Sequence, residues 1–183
     1  NSATPMTLGS TIQVVSGEKD GKPEFTAFLI ENDTPGFTQR KMDRKMMWRA
    51  SNTGELRFDN VRLTDENILG KPGQGSHIML ATLDGGRLSI GAMGLGCAQG
   101  AFEMALAYAK KREQFGKQIC KFQAVSFMLA EMEVKINAAR ELLYKACRMK
   151  DAKVPFGKEA AMAKLFCSEV AAEVCDKAVQ VMG

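Results

Sequence analysis

The chain has 183 residues, of which 45% are hydrophobic and 25% are charged, a balance that excludes a disordered tail and a fibrous repeat. Its 25 basic and 21 acidic residues leave a formal net charge of +4, too small in total to indicate a nucleic acid or a membrane as the partner. The length allows one large domain or two small ones.

Residues 1–70 alternate between apolar and polar side chains with a period of two, which predicts short strands. The alternation is clearest at residues 12–15, 25–30, 56–59 and 61–64. Turn residues separate these stretches, at Gly17, Asp20-Gly21, Pro35-Gly36 and Asn52-Thr53-Gly54. We expect an antiparallel sheet or a small barrel, with a further strand or two before Asn1.

The remainder of the chain has a helical period and predicts three helices, over residues 76–113, 121–150 and 155–182. Pro155 suits a first helical turn, where its missing N–H needs no partner. Short connections favour antiparallel packing of the three helices. The predicted fold class is therefore α+β, with an antiparallel β-domain over residues 1–72. An antiparallel four-helix bundle without its last helix follows over residues 73–183.

The first predicted helix contains an unusual number of glycines, each of which is about 1 kcal/mol less favourable than alanine in a helix interior. They are Gly85, Gly86, Gly91, Gly94, Gly96 and Gly100. Two explanations remain open. The glycines allow close helix packing, or Gly85 and Gly86 leave room for a ligand beside Asp84 and Arg87.

The remaining reactive residue types have structural interpretations. The five cysteines include no Cys-x-x-Cys pair. Because His77 is the single histidine, a metal site with several histidine ligands is excluded. We interpret the cysteines as reduced, mostly buried thiols, the methionines as core residues, and His77 as a solvated residue at a helix start. No apolar run reaches the roughly 18 residues that cross a bilayer, so no membrane span is expected.

Residues 110–117 contain four basic side chains and one acidic one at the end of the first predicted helix. Cations are favoured there by the helix dipole, which is consistent with a solvated surface. Alternatively, Arg112 binds a phosphate through two parallel N–H groups, with Phe115 beside it. Both interpretations remain open from the residues alone.

Several motifs occur in one order along the chain. They are DTPGF at residues 33–37, ENILG at 66–70, GQG at 73–75, LDGGR at 83–87, REQFG at 112–116 and FQAVSFMLAEM at 122–132. Together they resemble the acyl-CoA dehydrogenase family over essentially the whole chain. The resemblance implies a helical N-terminal domain, a middle β-domain and a C-terminal four-helix bundle around FAD, in a dimer or tetramer. The chain is then expected to be about half of a family member.

The resemblance also implies roles for individual residues. Arg112 matches the arginine that binds the FAD pyrophosphate across a dimer interface, and Phe115 and Gln123 lie beside the ADP half. Gln180 and Gly183 match the start of a loop that holds the adenosine part of FAD from the neighbouring subunit. The stretch that lines the thioester end of the acyl-CoA pocket matches Asp84, Gly85, Gly86 and Arg87.

The implied reaction is α,β-dehydrogenation of an acyl-CoA thioester, with electrons passed to an electron-transfer flavoprotein. A carboxylate removes the α-proton while the β-hydride goes to the flavin. Gly86 stands where some branches of the family carry the catalytic glutamate. The resemblance therefore implies a glutamate beyond Gly183, as in the short- and medium-chain branches, and leaves the catalytic base outside this chain.

Two departures from the family pattern are Met47, in place of a glycine, and Ser76, in place of an aromatic residue. The implied location is the cytoplasm of a bacterium or the mitochondrial matrix of a eukaryote. Two alternatives remain open beside the dehydrogenase. One is a non-catalytic oligomerising module of this fold, and the other is an acyl-CoA oxidase that passes electrons to oxygen.

Overall fold

The computed structural model describes residues 8–183 as strands followed by helices, which confirms the α+β class. The elements are β1 (Gly9–Lys19), β2 (Lys22–Glu31), β3 (Phe37–Lys41), β4 (Gly54–Phe58), α1 (Gly75–Lys111), β5 (Glu113–Gln114), β6 (Lys117–Gln118), α2 (Gln123–Asp151) and α3 (Gly157–Met182). Short 3-10 turns occur at Asp65–Asn67 and Ile119–Lys121. The chain divides into two compact units, the first ending at Ala81 and the second comprising Thr82–Gly183. The predicted domain boundary at residues 72/73 stays a prediction.

In the first unit, β1 and β2 form an antiparallel hairpin in which Lys19 lies opposite Lys22. The two residues between them, Asp20 and Gly21, have φ angles of 52° and 73°. Positive φ at both central positions is typical of the tight turn that matches the twist of paired strands. The Asp-Gly pair in the sequence therefore accounts for the register of this hairpin.

The second strand pair, β3 with β4, is also antiparallel and places Phe37 opposite Phe58. Their rings stack at a centroid distance of 5.1 Å. The two hairpins are separate two-stranded sheets, so no barrel is formed by the described part of this unit. The predicted strand at residues 61–64 is wrong, because Asn60 has a left-handed φ of 49° that interrupts the extended backbone after β4. The side chains of Val61 and Leu63 instead line an open, mostly apolar cavity of about 1060 Å³.

In the second unit, the three helices form a bundle around a core that contains many alanines. Along α2 the buried side chains recur every three or four residues, at Leu129, Met132, Ile136, Ala139, Leu143 and Ala146. Along α3 they are Ala160, Ala163, Cys167, Val170, Val174, Ala178 and Val181. This period of 3.6 residues gives each helix one apolar face, as the sequence predicted.

Contacts along α1 establish the helix directions. A Cβ added to Gly91 would lie 3.7 Å from the Ala163 carbonyl carbon, and one added to Gly94 would lie 2.9 Å from the Cys167 carbonyl oxygen. Both contacts advance along the chain, so α1 and α3 are parallel. From Gly91 the contact with α2 is to Leu143, whereas Gln99 accepts a hydrogen bond from Arg140 at 2.6 Å. The α2 residue number falls as the α1 number rises, so α2 is antiparallel to α1.

The glycines of α1 have two kinds of surroundings. At Gly94 the neighbouring backbone leaves no room for a side chain. An added Cβ would meet nothing within 4 Å at Gly86, Gly96 or Gly100. Close packing therefore accounts for Gly94 and does not account for these three.

The predicted burial of cysteine and methionine is largely wrong. Of the five cysteines, Cys167 is buried, Cys120 and Cys147 are half-buried, and Cys97 and Cys175 are exposed. Met132 is the one methionine of the described residues in the buried core. Exposed methionines are Met42, Met46, Met47, Met79, Met93, Met104 and Met162. Alanine occupies many of the buried helix positions beside leucine, isoleucine, valine and phenylalanine, and most of the cysteines and methionines lie outside this core.

The predicted helix ends differ from the observed ones by at most two residues. The first helix ends at Lys111, because Glu113 pairs with Gln118 in the β5–β6 hairpin. The third begins at Gly157 rather than Pro155, because Phe156 has the non-helical angles φ −131° and ψ 3°. Pro155 therefore precedes the cap residue instead of occupying the first turn.

Among residues 8–183, one helix is long and apolar enough to span a bilayer by length and composition alone. This is α1, whose most apolar 18-residue window has a mean hydropathy of 1.2. Core helices of bundles have the same property, and α1 contributes core side chains from Leu88 to Ala109. The hydropathy of α1 is therefore weak evidence for a membrane span.

Candidate functional site

The chain leaves α1 through a tight hairpin that presents an aromatic ring to solvent. Between the paired residues Gln114 and Lys117, Phe115 and Gly116 have φ angles of 51° and 76°. A left-handed φ is unusual for a bulky residue. The Phe115 side chain is 93% exposed, so the hairpin holds a large apolar group away from the bundle core.

A second aromatic ring lies beside the Phe115 ring, and a cation lies beside that second ring. The Lys117 ammonium lies 4.3 Å from the centroid of the Phe122 ring, and the Phe115 and Phe122 rings meet edge to face at 6.3 Å. Arg112 is exposed just after the last turn of α1 and donates its backbone N–H to the Tyr108 carbonyl at 2.8 Å. A guanidinium, an ammonium and an exposed aromatic ring form a surface that suits a phosphate joined to a planar ring.

The other predicted cofactor residues lie at the same end of the bundle. Gln123 is the first residue of α2. Gln180 is exposed in the last turn of α3, and Gly183 caps that helix with a φ of 99°. Because α1 and α3 are parallel and α2 is antiparallel, the end of α1, the start of α2 and the end of α3 share one end of the bundle. This end carries Arg112, Phe115, Gln123, Gln180 and Gly183.

The predicted substrate residues form a second group, around an ion pair on α1. The Arg87 guanidinium donates to the Asp84 carboxylate at 2.5 Å, one helical turn away, and both side chains are partly exposed. The start of α3 packs against this carboxylate, since a Cβ added to Gly157 would lie 3.0 Å from Asp84 Oδ2. On the neighbouring surface, Gly86 faces open space and Gly85 has only the Lys150 ammonium nearby.

The two groups do not meet within one chain. Arg87 and Arg112 are separated by about 38 Å along α1 at a rise of about 1.5 Å per residue. The structure thus places the predicted cofactor residues at one end of the bundle, and the Asp84–Arg87 segment lies far from them.

Sequence reasoning counted Lys117 among the basic residues of the segment 110–117 and did not place it on the Phe122 ring. It missed Lys150 as a neighbour of Gly85 and Gly157 as a neighbour of Asp84. Both approaches arise through helix packing, and no local pattern signals that. His77 is exposed in the first turn of α1, which confirms its interpretation as a solvated residue. Within residues 8–183, no group of three or more histidine, cysteine or carboxylate side chains is placed to hold a metal ion.

Comparison with known proteins identifies the family. The sequence model of the acyl-CoA dehydrogenase C-terminal domain matches residues 73–183. The probable acyl-CoA dehydrogenase YngJ of Bacillus subtilis is 47% identical over 173 residues, which are 94% of this chain and 46% of that protein. Butyryl-CoA dehydrogenase from Megasphaera elsdenii superposes with a TM-score of 0.89 at 45% identity, over 94% of this chain and 45% of that one.

A further structural match comes from a structure described as the electron transferring flavoprotein of Acidaminococcus fermentans. The TM-score is 0.91 at 42% identity, and the match covers 98% of this chain and 47% of that one. The chain spans about half the length of the curated relatives it matches. The family match and the identities confirm the resemblance seen in the motifs, and the chain belongs to the acyl-CoA dehydrogenase family.

Proposed function

We propose that the protein containing this chain catalyses FAD-dependent α,β-dehydrogenation of an acyl-CoA thioester. The observation that carries the proposal is the Arg112–Lys117 hairpin, an exposed cationic and aromatic surface within the segment that matches the family's C-terminal domain. Electron-transfer flavoprotein is the proposed acceptor. The protein works in the cytoplasm of a bacterium or in the mitochondrial matrix of a eukaryote.

The chemistry of the hairpin fits the dinucleotide half of FAD. Arg112 would hold the pyrophosphate, because a guanidinium can donate two parallel hydrogen bonds to phosphate oxygens. Phe115 and Gln123 would lie along the ADP half, and Gln180 and Gly183 would hold the adenosine part. When bound, FAD supplies a two-electron acceptor for the hydride that leaves the β-carbon.

The Asp84–Arg87 segment would line the thioester end of the substrate pocket. The ion pair fixes the Arg87 guanidinium on α1, and the absence of a side chain at Gly86 leaves the helix surface open to a ligand. Loss of the α-proton to a carboxylate and of the β-hydride to the two-electron acceptor would leave an enoyl-CoA. We propose a glutamate C-terminal to Gly183 as the base, because the resemblance associates a small residue at the position of Gly86 with a glutamate in that part of the family.

We propose a short- or medium-chain acyl group as the substrate. The glycine at position 86 is the arrangement that the resemblance associates with those branches. A butyryl-CoA dehydrogenase is also among the similar structures. Activity with a series of acyl-CoA substrates of increasing acyl length measures this preference directly.

The site is proposed to form between two subunits of a homo-oligomer. The separation of about 38 Å between Arg87 and Arg112 supports this, because one chain then contributes its two groups to different sites. Closed symmetric assembly would place the hairpin end of one subunit against the substrate segment of another. A dimer is the smallest assembly that does so, and a tetramer repeats it.

The test is anaerobic titration of the purified full-length protein with butyryl-, octanoyl- and palmitoyl-CoA. We expect a yellow protein whose flavin absorbance is bleached by butyryl- or octanoyl-CoA and which then reduces a dye. A colourless protein that binds no added FAD would contradict the proposal. Rapid oxygen consumption without an added acceptor would assign an oxidase instead.

A further inference from the structure

The loop that connects β3 to β4 concentrates the charge of the whole chain. We call residues 40–50, which comprise the last two residues of β3 and most of this connection, the basic loop. It contains five of the 25 basic residues and one of the 21 acidic ones, so its net charge equals the chain's +4. The basic residues are Arg40, Lys41, Arg44, Lys45 and Arg49. The rest of the chain has no net charge. The net charge of +4, which is small for the whole chain, is therefore concentrated in one short segment.

The same loop exposes large apolar side chains. Met46 is 88% exposed, Met47 60%, Trp48 52% and Met42 49%. Four such groups within seven residues are too dense for a solvated loop, and an exposed apolar patch with a polar rim usually marks an interaction site. Cations lie before, between and after the apolar side chains.

Hydrogen bonds at the base of the loop hold it in one shape. The Lys45 ammonium donates to the Thr53 hydroxyl at 2.8 Å and to the Ser51 carbonyl. The Met42 backbone N–H donates to the Thr53 carbonyl at 2.8 Å, and Arg49 Nε donates to the Lys45 carbonyl at 3.1 Å. Lys45 is thus used to close the loop.

Most of the remaining charge faces water. Arg40, Arg44 and Arg49 are exposed, and Lys41 pairs with Asp43 at 3.7 Å with both side chains largely in solvent. An exposed pair of this kind is held weakly and can exchange partners. Cations are therefore available to an external anion on both sides of the apolar side chains.

We propose that the basic loop docks the protein on an anionic lipid surface. Tryptophan prefers the membrane–water interface, and arginine and lysine side chains extend toward lipid phosphates. Juxtaposed cations and apolar groups bind such a surface together, since neither signal alone anchors strongly. The exposed Met46 and Met47 favour lipid over nucleic acid, because unbranched apolar chains find partners among acyl chains and none on a phosphate backbone.

The test is sedimentation of the full-length, FAD-loaded protein with phosphatidylcholine vesicles, with or without roughly 30% phosphatidylserine. We expect binding to the anionic vesicles only, and its loss at about 1 M salt because the charges are then screened. Trp48 emission, isolated as the difference between the wild-type and Trp48→Phe spectra, is expected to shift to the blue on binding.

Variants separate the two signals. The double variant Arg40→Gln/Arg44→Gln is expected to lower the partition coefficient about 25-fold, at about fivefold per cation. Met46→Ser/Met47→Ser is expected to reduce binding and abolish the Trp48 shift. Lys145→Gln/Lys164→Gln removes two exposed cations from the helical unit and is the matched control, with less than a twofold change expected. Circular dichroism and the melting temperature verify that each variant is folded.

Three outcomes would overturn the proposal. The first is equal binding to neutral and anionic vesicles, or none to either. The second is anionic binding that survives Arg40→Gln/Arg44→Gln. The third is binding of a duplex DNA oligonucleotide or of polyglutamate, sensitive to the same variant, by a protein that ignores vesicles. That last result would assign the basic loop to a nucleic acid or an acidic protein.

Discussion

Arg112 is the residue whose proposed role is easiest to isolate. It lies exposed just beyond α1, so its removal disturbs little packing. A hydrogen bond to a charged group contributes about 1.5–3 kcal/mol, and Arg112→Ala is therefore expected to raise the FAD dissociation constant roughly 10- to 150-fold. Titration of the apoprotein with FAD measures this. Lys111→Ala, one residue earlier, is the control and should change the constant little; unchanged flavin affinity in Arg112→Ala would remove the arginine from the site.

Gly94 and Gly96 make a matched pair that separates packing from helix propensity. A Cβ on Gly94 would lie 2.9 Å from the Cys167 carbonyl oxygen, so Gly94→Ala forces α1 and α3 apart and should destabilise the fold by about 1–3 kcal/mol. Gly96 faces open space, and Gly96→Ala should stabilise by about 1 kcal/mol through helix propensity. Thermal unfolding should therefore show melting temperatures that move in opposite directions. Stabilisation by both substitutions would mean that α1 and α3 are not packed so closely, and destabilisation by both would mean that Gly96 does not face open space.

Helices α2 and α3 are joined by an ion-pair network, which makes their association depend on pH. Lys177 donates to Glu131 at 2.5 Å and to Glu173 at 3.0 Å, and Lys135 also pairs with Glu173. The hydrogen bond from Lys177 lowers the pKa of Glu131, and the hydrogen bonds from Lys135 and then Lys177 lower the pKa of Glu173. The hydrogen bond to Glu131 contributes most to raising the pKa of Lys177.

The sign of the pH dependence follows from these shifts. A lowered carboxylate pKa stabilises the fold above the ordinary value of about 4.3, and this contribution is lost as the pH falls through the folded-state pKa. The raised lysine pKa stabilises below about 10.4 and is lost at higher pH. Lys177→Met is therefore expected to lower the melting temperature at pH 7, with the gap to wild type narrowing as the pH falls below about 4.3. Calorimetry at pH 3 and 7 measures this, with Lys145→Met as the control; a gap at pH 3 as wide as that at pH 7 would exclude an ionic origin.

The elements differ in how far the sequence predicts them. Helices α2 and α3 were found because each has one apolar face of period 3.6 over 26 residues or more. Helix α1 is apolar on more than one side, since Leu80 and Ile90 are exposed while Leu95 is buried, and its length made it recognisable. Strand β3 was not predicted, since residues 37–41 contain no apolar alternation and the strand forms through pairing with β4. The burial of cysteine and methionine was misjudged because alanine occupies many of the buried helix positions, and residue type alone does not reveal which apolar residues reach the core.

The sequence motifs predicted which residues belong to the candidate site, but they did not predict how helix packing brings those residues together. The hairpin residues Arg112 and Phe115 follow one another closely in sequence, and their common surface can be inferred from the turn. The approach of Gly157 to Asp84 depends on how α3 packs on α1, which no local pattern encodes. The distance between Arg87 and Arg112 follows from the predicted length of the first helix. It bears on assembly because both arginines are proposed to serve one reaction.

At the scale of the whole molecule, that distance has a consequence for assembly. If Arg87 of one subunit and Arg112 of another complete each site, a subunit defective at Arg87 and one defective at Arg112 can complement each other. In a mixed dimer of the two variants, one site collects both substitutions and the other collects none. A site within a single subunit would leave every site with one defect.

Complementation between Arg87→Ala and Arg112→Ala subunits therefore tests the shared site directly. Each variant alone is expected to have little dehydrogenase activity. Co-expression with two affinity tags isolates the mixed dimers, which should recover about half of the wild-type activity because one of two sites is intact. Random mixing without isolation should recover about a quarter. The control is the double variant Arg87→Ala/Arg112→Ala co-expressed with wild type. Each site of such a mixed dimer would contain one defective arginine, so only dimers of two wild-type subunits should be active. Mixed dimers as inactive as the parent variants would place both arginines in the same site of one subunit, or outside the site altogether.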